Sequence, residues 1–418
     1  MTDEIAVPPH PDPLPRGERE LEPSPPRGKG QGEGAPLHGI TVVDLTSYIA
    51  GSYGAMMLAD LGAHVIKVES LEGDSFRELP GFFGWNRGKR SIAVNVKDPD
   101  GRTIVHRMAQ HADVVMENMR PGVVERLGVD YDTLRKLNPR LIYLSVTAFG
   151  GDGPYRDRPG FDPLIQAMSG VMTIQGFGGP PQYIRTAITD YYTAALGCQA
   201  VLAALFARER TGKGQRVETS LLQAGLALQS GSIVDYPAKG EPVYRDTPTY
   251  RLYQASDGEW FFLACGNQSF WVKLCTAVGR QDLANDPRFG SWLARRDHAD
   301  ALTPLLEEAF ASKPRDEWLR ILAEHDIPAA PTDTIRRFMS DPAVLHHNMI
   351  VRYEHPEVGP LTLMGQPLRF SESPVPDAGP PPVLGQHTAD ILRAAGYTDG
   401  EIADLHRRGV VAGKDLPA

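Results

Sequence analysis

Two kinds of side chain in this sequence are equipped for chemistry. The first are carboxylates near bared backbone. Residues 174–190 read IQGFGGPPQYIRTAITD: three glycines and two prolines strip a stretch of main chain, and Asp190 then arrives just before a long apolar run. A second carboxylate, Asp162, stands upstream in PGFD. A carboxylate that opens a helix usually caps its first turn, but the same group serves as a nucleophile or proton carrier. The second kind are cations. NRGKRS (86–91) gathers Arg87, Lys89 and Arg90, and ENMRPGVVERLG (117–128) adds Arg120 and Arg126. Arg and Lys match phosphate by charge and fork geometry, whereas the plainer reading of such a run is a solvated surface.

Several chemistries fail on spacing. The first turn, TSYIAGSYG, offers only Gly51 and Gly54. A dinucleotide fingerprint needs G-x-G-x-x-G so that amides reach a pyrophosphate, so no nicotinamide is expected, although Glu69 stands where a ribose ligand would. There is no P-loop, G-x-S-x-G or H-E-x-x-H. His346 and His347 adjoin, and neighbours in sequence do not face one site on a helix, so no metal is expected. The net charge of −9 argues against a nucleic-acid partner. Three scattered cysteines, Cys198, Cys265 and Cys275, make neither a metal spacing nor a disulfide framework, which points to a reducing cytoplasm. No apolar run reaches the roughly 20 residues of a bilayer span, so no membrane partner is expected.

These groups must be positioned by something, and the chain outlines it. Residues 8–36 hold nine prolines and five glycines with little to bury, so residues 1–37 read as a disordered tail. ITVVDL (40–45), a small-residue helical pattern (49–63) and HVIKVE (64–69) then make a strand–helix–strand unit. Strands RSIAVNV, DVVMEN and LIYLSV alternate with helical stretches, giving an open parallel α/β sheet with ligands expected outside the carboxyl ends of the strands. A long buried helix is expected over 190–210. From about 231 the texture shifts to aromatic strands such as EWFFLACG and charged helices. The expected division is a large Rossmann-like domain over 38–230, a smaller α+β domain over 231–326 and a return segment, 327–418, completing the large domain. Trp260, Phe261, Phe262, Phe270 and Trp271 suit either an apolar pocket or core packing.

Five segments taken together carry a resemblance: VVDLTSYIAGSYGAMMLADLGAHVIKVE, NRGKRSIAVNVKDPDGR, ADVVMENMRPGVVERLG, NPRLIYLSVTAFGGDGPYRDRPGFDPLIQAMSG and RTGKGQRVETSLLQAGLAL. The chain resembles the class III coenzyme A transferases over residues 38–411, a family that includes formyl-CoA:oxalate and carnitine CoA-transferases and α-methylacyl-CoA racemases. The resemblance implies an interlocked dimer and CoA or acyl-CoA as the bound group. It implies contacts to CoA from Ile49 and Ala50, from Asn86 to Lys89, from Asn118, Met119, Arg120 and Arg126, and from Thr147, Ala148 and Phe149. Ser70 stands where some members carry a nucleotide-stacking arginine. CGNQ (265–268) is similar to a mobile loop, so Gly266, Asn267 and Gln268 are implied beside the substrate.

The resemblance also implies an aspartate nucleophile in the glycine–proline turn, where this chain has Gly178 or a gap. Three readings stay open. Asp190 or Asp162 substitutes in a transferase of CoA between carboxylic acids. Alternatively the chain is a racemase or isomerase, whose histidine–aspartate pair would here be Phe161 and Asp190. In the third reading it is a non-catalytic subunit of a heteromer with a related chain.

Overall fold

The computed structural model describes residues 34–236, 247–414 and 416–417. The expected tail therefore lies outside the described residues as far as residue 33. Ala35 and Leu37, assigned to it by sequence, are buried, and the Leu37 amide donates to the carbonyl of Leu61 at 2.9 Å.

The β-branched runs form six parallel strands: β1 (Thr41–Asp44), β2 (His64–Glu69), β3 (Arg90–Val94), β4 (Val114–Glu117), β5 (Ile142–Thr147) and β6 (Arg216–Ser220). Nine helices accompany them: α1 (Ala50–Asp60), α2 (Pro80–Asn86), α3 (Pro99–His111), α4 (Val123–Leu127), α5 (Tyr131–Leu137), α6 (Asp162–Met168), α7 (Val171–Gln175), α8 (Ile188–Thr211) and α9 (Leu221–Ala227). Successive residues of a strand face opposite sides of a sheet, and this sheet is covered on both. Val42, Val65, Val114 and Ile142 pack with Ala55 and Leu58 of α1 and Val201 and Ala204 of α8. Val43, Ile66, Val115 and Tyr143 pack on the other side with Ile104 of α3 and Leu134 of α5. The C-terminal helices Thr388–Ala394 and Asp399–Arg407 add Leu392 and Ile402 to that second layer. Burial on both faces explains the near-continuous apolar character of the strands.

Helix α1 lies close against α8 because position 54 is glycine: a Cβ there would stand 3.3 Å from the Ala194 carbonyl oxygen.

A smaller unit has its own core of Tyr253, Phe261, Leu263, Trp271, Leu306, Phe310 and Trp318. Its sheet joins β7 (Tyr250–Gln254), β8 (Trp260–Ala264) and β9 (Ala329–Pro331), so it runs a few residues beyond 326. Phe261 and Trp271 are thus core residues. A hairpin of β10 (Ile350–His355) and β11 (Gly359–Met364) follows. The chain then returns, and β12 (Val411–Ala412) pairs antiparallel with β3.

The large sheet has the order β12-β3-β2-β1-β4-β5-β6. The chain leaves β1 in one direction for β2 and β3, and β4 to β6 lie on its other side. A crevice opens beyond the carboxyl ends of strands where order reverses in this way, here between β1 and β4.

Candidate active site

The loops after β1 and β4 are tied across the crevice by one side chain. The Asn118 amide donates to the Ser47 carbonyl at 2.7 Å, and its oxygen accepts the Ser47 N–H at 2.9 Å. The next residue, Tyr48, is held at φ 61°, in the left-handed region that a bulky side chain rarely occupies. Such strain persists only where the surroundings impose it.

Beyond this clamp lies a cavity of about 350 Å³ whose lining includes Ser47, Tyr48, Arg156, Arg158, Phe161 and Asp190. It also includes Ala50, Asn118, Met119, Arg120, Thr147 and Ala148, six of the residues singled out for CoA in the sequence. A second cavity of about 590 Å³ opens over the ends of β1, β2 and β3; it shares Ser47 and Met119 with the first and is bordered by Ser70 and Lys97.

The two aspartates have different roles. Asp162 is buried; its carboxylate accepts the Thr189 amide at 2.8 Å, the Thr189 hydroxyl at 2.6 Å and the Gln166 amide at 2.6 Å. It closes the first turn of α8, and these three contacts give Asp162 a capping role. Asp190, for which a cap is the ordinary reading, is not one. Among the described residues no hydrogen bond or ion pair reaches its carboxylate. Burial, with the nearby Asp162 charge, pushes its pKa up to about 7.

The glycine–proline loop is a tight turn. Phe177 and Gly178 both have positive φ, and the Gly179 amide donates to the Gly176 carbonyl at 2.9 Å. Gly178 at φ 83° is a poor place for an aspartate. None of residues 174–181 lines the cavity that holds Asp190.

The cationic run before β3 is corrected by the structure. Lys89 is buried, its ammonium 2.8 Å from Asp44 and 2.9 Å from the Asn86 side-chain oxygen. It also donates to the Ser52 carbonyl at 2.8 Å. Arg87 is buried against Asp60. Lys89 and Asn86 therefore brace the floor of the crevice; Lys89 and Arg87 are not solvated, whereas Arg90 is partly exposed beside Asp390. Arg120 and Arg126 do remain exposed, on the loop after β4 and on α4. Ile49 and Phe149 flank cavity residues without lining it. Gly266 precedes α10 (Gln268–Ala277); Asn267 caps that helix by accepting the Phe270 amide, and Gln268 accepts from Arg295.

Sequence reasoning missed Tyr48, Arg156 and Arg158, and missed Phe161 as a wall residue. It also missed Glu117, buried at the end of β4, which accepts the Met119 amide at 2.8 Å and the Ser145 hydroxyl and is pushed up to about 7 by burial. The available signal for Tyr48, Phe161 and Glu117 was position, since each adjoins a strand end or a residue already singled out; Arg156 and Arg158, in the long connection after β5, carry no such signal.

Among the described residues no group of three or more His, Cys, Asp or Glu side chains is placed to hold a metal, and no helix is long and apolar enough to cross a membrane.

Comparison with known proteins agrees with this geometry. The profile of CoA-transferase family III matches residues 37–388. Succinyl-CoA:glutarate CoA-transferase of Mus musculus is 34% identical over 394 residues, covering 90% of each chain. The β subunit of succinyl-CoA–L-malate CoA-transferase of Chloroflexus aurantiacus is 33% identical over 397 residues, covering 90% of this chain and 98% of its own. A crystal structure of a CAIB/BAIF family protein from Brucella suis superposes with a TM-score of 0.78 at 36% identity, over 87% of this chain and all of that one. The relatives are enzymes that move CoA, and this chain belongs to CoA-transferase family III.

Proposed function

We propose that the chain transfers coenzyme A between carboxylic acids, with Asp190 as the nucleophile. The observation that carries this reading is an unpartnered carboxylate, in the first turn of α8, sharing one cavity with the residues singled out for CoA. The positive end of the helix favours its anion, and nothing competes for its lone pairs. The nucleotide end of CoA lies over β1 to β3 and the thioester reaches across the crevice to Asp190.

Asp190 attacks the thioester carbonyl, and the C–S bond breaks to give a mixed anhydride and CoA thiolate. The thiolate then attacks the Asp190 carbonyl and expels the donor carboxylate, leaving an aspartyl-CoA thioester. An acceptor carboxylate repeats the sequence in reverse and regenerates Asp190. Splitting one exchange into such steps lowers each barrier. The wide exposure of large apolar side chains such as Phe206, Leu226 and Ile335 suits a chain that works as an interlocked dimer.

The racemase reading needs a proton carrier where Phe161 stands, and a phenyl ring has no proton to exchange. The subunit reading draws support from the relative named as a β subunit, but not from a site that retains its own carboxylate.

Steady-state kinetics test the proposal. Varying donor and acceptor together gives parallel double-reciprocal lines if CoA passes through the enzyme. Intersecting lines contradict release of the donor carboxylate before the acceptor binds, and absence of transfer by the purified chain favours the subunit reading.

A further inference from the structure

The hairpin of β10 and β11 is closed at its open end by Gly365, whose amide donates to the Met349 carbonyl at 2.7 Å. A Cβ at position 365 would stand 2.5 Å from the Asn348 carbonyl oxygen, so the closure requires glycine. The Gly365 carbonyl in turn lies 3.4 Å from Nη2 of Arg87, the residue that ends α2. Beside this junction is a cavity of about 830 Å³, lined by the hairpin, by residues 374–378 of the returning chain, and by Arg87 and Asp60. Its size is that of a small-molecule site. It shares no lining residue with either cavity of the candidate active site.

Donors without acceptors collect on this lining. Arg87 is only 1% exposed. Its Nε donates to Asp60 at 3.1 Å and its Nη2 is bonded to Asp60 and Gly365, but among the described residues Nη1 is buried with no hydrogen-bond partner. Gln366, next to Gly365, leaves its side-chain amide nitrogen buried and unpartnered in the same way. Two more arginines line the cavity, Arg352 on β10 and Arg369 beyond β11; both are exposed, and among the described residues no ion pair reaches either. The acids of the lining are already engaged: Asp60 by Arg87, and Asp377 by the Tyr353 hydroxyl and by the Gly379 amide at 3.1 Å. A buried donor with no acceptor carries a desolvation cost that an anionic oxygen removes. Guanidinium groups pair with carboxylate or phosphate through their planar fork.

Elsewhere the lining is apolar, with Ile350, Leu368, Phe370 and Pro374. We propose that this cavity is a second ligand site, apart from the crevice between β1 and β4, for a small organic anion. Arg352, Arg369 and the orphaned donors of Arg87 and Gln366 hold its phosphate or carboxylate head, and Phe370 and its apolar neighbours hold its body. The site does not depend on the transferase reading.

The test is calorimetry of the purified full chain, with CoA present in excess, titrated with phenyl phosphate and with benzoate, probes that share a ring and differ in the charged head. Saturable binding at one site per chain is expected. Binding of phenyl phosphate alone assigns a phosphate ester, and binding of benzoate at least as tightly assigns a carboxylate. Arg352→Ala combined with Arg369→Ala weakens that binding by about tenfold or more, the scale of lost charge-assisted hydrogen bonds, and leaves CoA affinity unchanged. Both side chains are exposed, so the double variant keeps its fold. Gln366→Leu weakens the same binding from a second side of the cavity. If neither probe binds, or if the double variant binds as the parent does, the inference is overturned and the transferase reading is untouched.

Discussion

The carboxylate of Asp162 takes both the amide and the hydroxyl of Thr189, at 2.8 and 2.6 Å, and so secures the helix turn that carries Asp190. One aspartate does the capping, and the other is left without a partner. Asp162→Ala is expected to lower stability by about 1–3 kcal/mol in urea unfolding, the cost of a lost cap and of donors left unsatisfied. Asp162→Asn recovers part of that stability and still permits loading of Asp190. A stable Asp162→Ala chain that cannot be loaded reverses the two roles.

The raised pKa of Asp190 makes a pH prediction with a defined sign. The group titrates near 7 in the folded chain, against an ordinary value of 3.8. Between those values the folded state holds a proton that the unfolded state has released. Its contribution to stability is therefore complete below about pH 4 and is lost as pH rises to 7. Asp190→Asn should be more stable than the parent above pH 7, with the difference closing towards pH 4. Thermal unfolding at pH 4, 6 and 8 checks this, and a variant less stable at pH 8 contradicts it.

Loading requires the ionised carboxylate, so its rate should climb through a single titration near pH 7. Glu117, one residue before Asn118 of the clamp, is also pushed up to about 7. Glu117→Gln separates the two: the titration survives if Asp190 is its source and disappears if Glu117 is.

Lys89 and Arg120 should behave in opposite ways. Lys89→Met leaves Asp44 buried without its partner, a change that costs about 3–5 kcal/mol of stability. Arg120→Ala sits on the exposed loop after β4 and should alter stability by no more than about 0.5 kcal/mol. Calorimetry should show CoA binding weakened about tenfold by Arg120→Ala, the scale of a charge-assisted hydrogen bond. A stability loss at Arg120 with unchanged CoA affinity contradicts this division of labour.

With Phe161 in the same cavity as Asp190, where a proton carrier would be needed, the chain should not exchange an α-proton. Incubating an α-methylacyl-CoA with enzyme in deuterium oxide should leave its mass unchanged; deuterium wash-in without CoA transfer supports the isomerase reading.

The parallel sheet was legible because its strands are buried on both faces, and apolar runs such as HVIKVE coincide with β2 from His64 to Glu69. The short helix α2 was not, since PGFFGWN has glycines and a proline where a helical pattern should stand and is held partly by the Trp85–Tyr191 hydrogen bond. Lys89 looked like a ligand-facing cation because its type is visible and its partner is not: Asp44 lies 45 positions away and meets it only when β1 and β3 enter one sheet. Composition made the loop around Gly178 look chemical, whereas its glycines serve a turn. Asp190 was named, but what sets it apart from Asp162 is the absence of hydrogen-bond donors around its carboxylate, a property of packing that no local pattern carries.

The most direct measurement is the mass of the peptide containing residue 190 after the chain is incubated with an acyl-CoA and quenched with hydroxylamine. The account predicts a hydroxamate on Asp190, absent when CoA replaces the acyl-CoA. A hydroxamate at another carboxylate, or none while CoA transfer proceeds, contradicts it.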